Sequence, residues 1–271
     1  MENKYLLYID ILGFSDLIKS EQRTRELYEI IDSLNVHEHR VFQTIVFSDT
    51  ILVYNKKPPF ARKEAEYIVW YATEFAEDLH FRLIGKGLYF RAMLTFGPFD
   101  HYSLNNTECF FGQALVNAYQ SEKHAPITGL LVDNECHQTL KYFDSERFDD
   151  NWHFVYLERT FKNLIDMSYG ELPIDRGIYG DGESVPYLLW ALKYIQGIHF
   201  QMREHPIPMV RAKFLTTWDY YYRKYNLILD SLVASDFSPE PLCPSYNWAQ
   251  TIKSFSKEFD LANKAFQRTS R

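Results

Sequence analysis

Residues 5–12, YLLYIDIL, are apolar at every position but one, and this near-continuous run predicts a buried strand over about 4–12 that ends at Gly13. Over residues 16–34, Leu17, Ile18, Leu27, Ile30, Ile31 and Leu34 recur at helical spacing and predict one helix. The stretch RVFQTIVFSDTILVYN places two β-branched and aromatic runs on either side of Ser48 and Asp49. That is the pattern of a tight hairpin with strands over 41–47 and 50–55. Pro58-Pro59 then opens a long amphipathic helix running to about 82. Residues 87–96 read as a strand punctuated by Gly97-Pro98, and a further strand or ribbon covers about 99–111. Gly112 precedes a short helix over 113–124, and ITGLLVDNE reads as one more strand.

This order, β-α-β-β-α-β followed by another helix and strand, predicts an α+β fold. It is the ferredoxin-like arrangement of an antiparallel sheet with helices on one face. The pattern changes near residue 160. Residues 163–186, rich in Gly, Asp and Pro, read as loop, and helical stretches follow over about 187–203, 207–234 and 246–266. The expected organisation is a domain over 1–160 and a helical C-terminal extension over 161–271, packed on that domain or at a subunit interface. The run Tyr220–Tyr222 reads as packing in that extension, not as a platform for stacking bases.

Composition narrows the classes of partner. With 46% hydrophobic and 17% aromatic residues the chain can build a packed core. A formal net charge of −7 argues against a nonspecific nucleic-acid or anionic-membrane surface, which needs a basic excess. No apolar run approaches the ~20 residues of a membrane span, and no secretory leader is evident, so a soluble cytoplasmic protein is expected. Cys109, Cys136 and Cys243 are far apart without metal-ligand spacing and read as free thiols.

Two residues raise a chemical question. Asp10 sits inside an apolar strand, where an uncompensated carboxylate costs several kcal/mol, on the order of 3–5. Asp49 sits at the hairpin tip, where aspartate is also ordinary turn chemistry. If the first strand and the hairpin lie side by side, both carboxylates reach the same end of the sheet. A hard divalent cation, Mg²⁺ or Mn²⁺, is the natural counter-charge, because it takes carboxylate oxygens together with phosphate oxygens. Just downstream, Gly13 turns the strand into a helix whose first N–H groups can point outward toward phosphate.

These stretches resemble class III nucleotidyl cyclase domains. YIDILGFSDLI is similar to the family's DIxGFT opening, with Ser15 in place of Thr, and IVFSDTILVY to its metal-binding hairpin, with Ser48 in place of Gly. YFRAMLTFGPF resembles the RxGIHTGPV strand, with Arg91 and Gly97-Pro98 in register, and FGQALVNAYQSEKHAPITGLLVD resembles the segment that follows. The resemblance covers residues 4–134. It implies a homodimer with composite sites at the subunit interface, and turnover of a nucleoside triphosphate to a 3′,5′-cyclic nucleotide and pyrophosphate with two Mg²⁺ or Mn²⁺ ions per site. Asp10 and Asp49 would hold the metals, with the Ile11 carbonyl as a further ligand. The backbone at Gly13, Phe14 and Ser15 would hold phosphate oxygens.

The departures from the family pattern are informative. Aligned from Gly112, the ribose-orienting Asn falls at Val116 and the transition-state Arg at Gln120. Asn117 fills the first role if the register slips by one, and Arg91 and Lys123 are the cationic candidates for the second. The lysine that purine cyclases place four residues before the hairpin aspartate is Ile45 here, and Ile45 and Phe47 would border the base pocket. The whole chain resembles the stand-alone cyclases of bacterial anti-phage Pycsar systems, which make cyclic UMP or cyclic CMP for a separate effector. The resemblance thus implies a pyrimidine cyclase, UTP before CTP, with no nucleic-acid partner and no membrane insertion. The alternatives are a purine cyclase, a degenerate cyclase-fold protein that binds nucleotide or a partner without turnover, and a polymerase-palm or GGDEF-like enzyme. No GG[DE]EF run marks the hairpin.

Two other clusters carry less. His37 and His39 lack a third ligand and read as a solvated loop, and YGDGES at 179–184 reads as a turn without the ligand spacing of a calcium loop.

Overall fold

A computed structural model describes residues 1–174 and 185–257 of the chain. The segment YGDGES lies outside the described residues. The chain groups into two compact units, one of Met1–Leu83 with Leu88–Leu157, the other of Ile84–Gly87 with the chain from Glu158 onward.

The first unit is α+β. β1 (Glu2–Leu12) leads through α1 (Phe14–Leu17) and α2 (Glu21–Asp32) to a hairpin of β2 (Phe42–Phe47) and β3 (Thr50–Asn55). Then α3 (Arg62–Leu83), β4 (Tyr89–Leu104), β5 (Thr107–Phe111), α4 (Gln113–His124) and β6 (Gly129–Asp133) follow. The unit closes with α5 (Asn134–Thr139), β7 (Ser145–Arg147) and β8 (Trp152–Val155). The sheet order is β2-β3-β1-β4-β6-β8-β7, with β5 paired to β4. Its first four strands are the ferredoxin-like βαββαβ core, in which β1 lies between β3 and β4 and runs antiparallel to both.

Three expectations change. The single helix over 16–34 is two, because the Ser20 side chain accepts from Arg23 N–H and starts α2 afresh. Gly97-Pro98 does not end a strand. β4 runs through both residues, paired there to Lys4 and Asn3 of β1, while its pairing to β6 stops at Leu94. With one side already unpartnered, a residue without an N–H is tolerated.

The third change concerns the faces of the sheet. On one face Tyr5 N–H donates to Asn55 Oδ1 at 2.6 Å, the Phe42 ring meets Phe75 of α3 at 5.1 Å, and the Tyr5 phenol hydrogen-bonds Thr139 of α5. By the period of two, Leu7, Ile9 and Ile11 share this face, and all three are buried. The opposite face carries Leu6, Tyr8 and Asp10 with their register partners Thr95, Met93 and Arg91. Here lies α4, with the Tyr119 ring 6.4 Å from that of Tyr8. Helices therefore cover both faces. α4 docks closely because its buried residues include the small Ala114 and Ala118, and it passes Gly97 of β4, where a Cβ would meet the Ala114 Cβ at an ordinary contact distance of 3.6 Å. At the head of α4, Gly112 has φ 148°, and a Cβ on it would lie 2.2 Å from the Pro98 carbonyl oxygen. No other residue fits at 112 without moving the backbone.

In the second unit, Thr160–Ser168 form α6, so the expected loop begins later than 163. α7 (Val185–Glu204) packs against α8 (Pro208–Ala234), where the Tyr194 and Tyr221 rings lie 5.8 Å apart. Residues 248–257 are also helical. Tyr220 and Tyr221 are buried, consistent with packing, while the half-exposed Tyr222 donates to Asp230. Glu158 is fully buried and accepts from Thr160 N–H at 2.8 Å. Among the described residues no helix is long and apolar enough to cross a membrane.

Candidate active site

The hairpin register explains how the two aspartates meet. Thr50 pairs with Asp10, so β3 starts beside the end of β1, and Ile11 N–H donates to the Asp49 carbonyl at 3.0 Å. The backbone of the Ser48–Asp49 turn is thus tied directly to the residue after Asp10. Ser48 takes φ 56°, a conformation a non-glycine residue rarely adopts, and the Tyr28 hydroxyl donates to its carbonyl at 3.2 Å.

Tyr8 precedes Asp10 by two on the same face, and its phenol hydrogen-bonds the Thr50 side chain. Burial pushes the Tyr8 phenol above its ordinary pKa. The Thr50 hydrogen bond opposes this, and the charges of Asp10 and Asp49 add to the rise. Both carboxylates therefore act on one phenol. Ile45 and Phe47 pair with Leu52 and Thr50, the residues that also face Tyr8 and Asp10, so they line the same face. Ile45 is half-buried, while Phe47 is 73% exposed.

The Asp10 side chain keeps 22% of its surface, and Arg91 Nη2 lies 3.6 Å from its Oδ2. Arg91 is buried and held mainly elsewhere: Nη2 also contacts Glu122 of α4, and Nη1 donates to the Ala125 carbonyl at 3.0 Å. Burial lowers the Arg91 pKa, against the raising effect of Asp10. Lys123 is exposed, its Nζ 4.2 Å from the centre of the Tyr119 ring.

Gly13 has φ 81° and caps α1, whose Asp16 and Leu17 N–H groups both donate to the Gly13 carbonyl. The N–H groups of Phe14 and Ser15 lie in the first turn, outside that ladder. Asn117 sits apart from this cluster. It accepts from Gln113 at 2.7 Å and lines a cleft of about 490 Å³ with Thr95, Gln120, Asp133 and Asn134, whose lining includes neither Asp10 nor Asp49.

The donor set suits a hard cation. Asp10 and Asp49 offer carboxylate oxygens, and no group of three or more His, Cys, Asp or Glu side chains is assembled among the described residues. A cation held by two carboxylates completes its shell with water and ligand oxygens, which is how Mg²⁺ is usually bound. Ile11 has a buried side chain and would contribute only backbone.

Sequence reasoning missed Tyr8, Thr50, Tyr119 and Glu122. Tyr8 was within reach of the period of two that puts it on the Asp10 face. Glu122 carried no such signal, since its partner lies on a strand far back in the chain. His37 is exposed and His39 half-buried, and each also makes one hydrogen bond. His37 Nε2 meets the Ile31 carbonyl at 2.8 Å, and His39 Nε2 meets the Tyr67 hydroxyl at 3.1 Å.

No protein-family model matches the chain, and no curated protein matches it either. Among solved structures, an adenylyl cyclase from P. aeruginosa is similar at 13% identity and TM-score 0.44, over 57% of this chain and 93% of its own. The guanylate cyclase domain of a Catenaria anguillulae protein, solved with GTP, aligns at 15% identity and TM-score 0.45, over 57% of this chain and 96% of its own. A dimeric guanylyl cyclase domain from the aquatic fungus Blastocladiella emersonii aligns at 16% identity and TM-score 0.45, over 57% of this chain and 95% of its own.

Proposed function

We propose that the chain is a nucleotidyl cyclase that converts a pyrimidine nucleoside triphosphate, UTP before CTP, to a 3′,5′-cyclic nucleotide and pyrophosphate. The observation that carries this reading is the approach of the Ser48–Asp49 turn to the end of β1, where Asp10 pairs with Thr50, Ile11 N–H donates to the Asp49 carbonyl, and the charges of both aspartates act on the Tyr8 phenol. In the reaction the ribose 3′-oxygen attacks the α-phosphorus in line. The bond from that phosphorus to the bridging oxygen breaks, and the hydroxyl proton passes to solvent. Bound at the two carboxylates, Mg²⁺ or Mn²⁺ supplies acidification of the 3′-hydroxyl and neutralisation of the departing pyrophosphate.

The chain's own residues divide the remaining work. The Phe14 and Ser15 amides offer donors to phosphate oxygens. Lys123, exposed beside Tyr119, offers a mobile cation for charge that develops on the phosphates, and Arg91 supplies a fixed one beside Asp10. Ile45 and Phe47 present an apolar wall, with no ammonium to read a purine.

The site is completed by a second copy of the chain. Tyr102, Phe110 and Phe111 of the β4–β5 ribbon and Val116 of α4 are exposed apolar side chains suited to self-association. The product serves a separate cyclic-nucleotide-responsive effector in defence against phage.

Incubating the protein with each of the four NTPs and Mn²⁺ tests the proposal directly. A cyclic pyrimidine nucleotide is the expected product. A cyclic purine nucleotide overturns the specificity, and no product from any of the four overturns the activity. A second reading, nucleotide binding without turnover, draws on Arg91 being engaged by Glu122 and Ala125. Calorimetric NTP binding with no product would favour it.

A further inference from the structure

One guanidinium stands between two carboxylates of unequal standing. Arg91 Nη2 faces Asp10 Oδ2 at 3.6 Å, beyond hydrogen-bond range, and contacts Glu122 directly. Nη1 is fixed to the Ala125 carbonyl at the C-terminal end of α4. The Arg91 and Glu122 side chains keep only 7% and 6% of their surface, so their attraction acts in a poorly screened setting. Two further titratable groups lie near Asp10: the Asp49 carboxylate, and Tyr8, an uncharged phenol at neutral pH. Arg91 is also the register partner of Asp10 across β1 and β4, so it cannot leave the neighbourhood without disrupting the sheet.

A cation at Asp10 and the Arg91 guanidinium compete for the same carboxylate. Which of them gains it depends on what else satisfies Arg91. We infer that Glu122 is a positioning residue for the carboxylate pair: by engaging Arg91 from α4, it draws the guanidinium toward itself and weakens the competition between that guanidinium and a divalent cation for Asp10. The inference rests on the cyclase reading, in which Asp10 and Asp49 hold the metal. Without the Glu122 charge, Asp10 is the anion beside Nη2, and the guanidinium becomes a built-in competitor of the metal. With Glu122 in place, the same guanidinium stays near the reacting phosphates without occupying the metal's ligand.

Mn²⁺ binding to the protein without nucleotide, followed by calorimetry and by the spin signal of free Mn²⁺, tests this without turnover. Glu122→Gln should weaken Mn²⁺ binding by about fivefold to tenfold, the scale at which a neighbouring charge shifts a carboxylate's equilibria. The double variant Arg91→Gln/Glu122→Gln removes the competitor and should bring affinity back to within about twofold of wild type. A purely structural ion pair predicts otherwise: a lower melting temperature, unchanged Mn²⁺ affinity in the folded protein, and no recovery in the double variant. Either unchanged affinity in Glu122→Gln or no recovery in the double variant overturns the inference.

If Glu122→Gln does not fold, Glu122→Asp reports the same quantity through a carboxylate one methylene shorter. It should weaken binding by about twofold to threefold, and unchanged affinity there is equally fatal. Wild-type protein that binds no Mn²⁺ at millimolar concentration overturns the cyclase reading and this inference together. Glu122→Gln binding as wild type does overturns this inference alone.

Discussion

The two faces of the sheet are made from the same strands and do opposite things. On the α3 side, Leu7, Ile9 and Ile11 of β1 are 0–2% exposed, among apolar residues such as Ile51 and Ala92. On the α4 side, the alternate residues Tyr8 and Asp10 meet Thr50, Arg91 and Tyr119. One face buries its β1 side chains among apolar neighbours and a few hydrogen-bonded polar groups, and the other concentrates charge beside the Ser48–Asp49 turn. A strand's period of two lets both exist one residue apart, so a change of one position along β1 moves from the packed core to the candidate site.

The sharpest way to break this comparison is at the turn. Asp49→Asn should abolish nucleotide-free Mn²⁺ binding and lower cyclase turnover by about 10³-fold or more, the rate equivalent of several kcal/mol of lost charge stabilisation. Its melting temperature should stay close to wild type, because the turn's backbone bonds to Ile11 and Tyr28 do not use the carboxylate. An Asp49→Asn protein that still cyclises nucleotide would separate the open face from catalysis.

One step over, Ile9→Ala should do the reverse. Ile9 is 1% exposed, and its truncation should cost about 2–5 kcal/mol of stability by denaturant unfolding. The folded fraction should still bind Mn²⁺ with wild-type affinity, and a large affinity loss would show that the faces are not independent.

A further effect is confined to acid and absent at neutral pH. Burial holds the His80 imidazole, on α3, down to about 3. As pH falls below about 6.5 the unfolded chain takes up a proton that the folded chain refuses, so stability declines progressively toward pH 3. His80→Leu should flatten that limb of the stability curve, read by thermal melts between pH 7 and pH 4. An unchanged slope would assign the acid sensitivity to other groups.

Much of the α3 side and half of the candidate site were legible from residue order alone. The hairpin strands came within a residue of their expected bounds, because β-branched runs flanking Ser48-Asp49 leave few other solutions. Asp10 stood out because nothing in an apolar strand explains a carboxylate. Other features had no local signature. Ala114, Ala118 and Glu122 give α4 the same periodicity whichever face it covers, so its placement depended on contacts with Tyr8, Arg91 and Gly97. β7 and β8, of three and four residues, are too short for periodicity to register. Arg91 reads as a free cation in sequence, yet the fold had already committed most of it to Glu122 and Ala125.

Gly112 gives that last arrangement a mechanical meaning. Its missing side chain lets the backbone press against the Pro98 carbonyl, and α4 departs from that point. Glu122 lies ten residues along, at the end of a lever about 15 Å long. A tilt of about 5° at the fulcrum would swing the carboxylate by about 1 Å, enough to trade its contact with Arg91 for a gap. The angle at which one glycine meets one carbonyl therefore sets, at the far end of the helix, which anion the buried arginine serves.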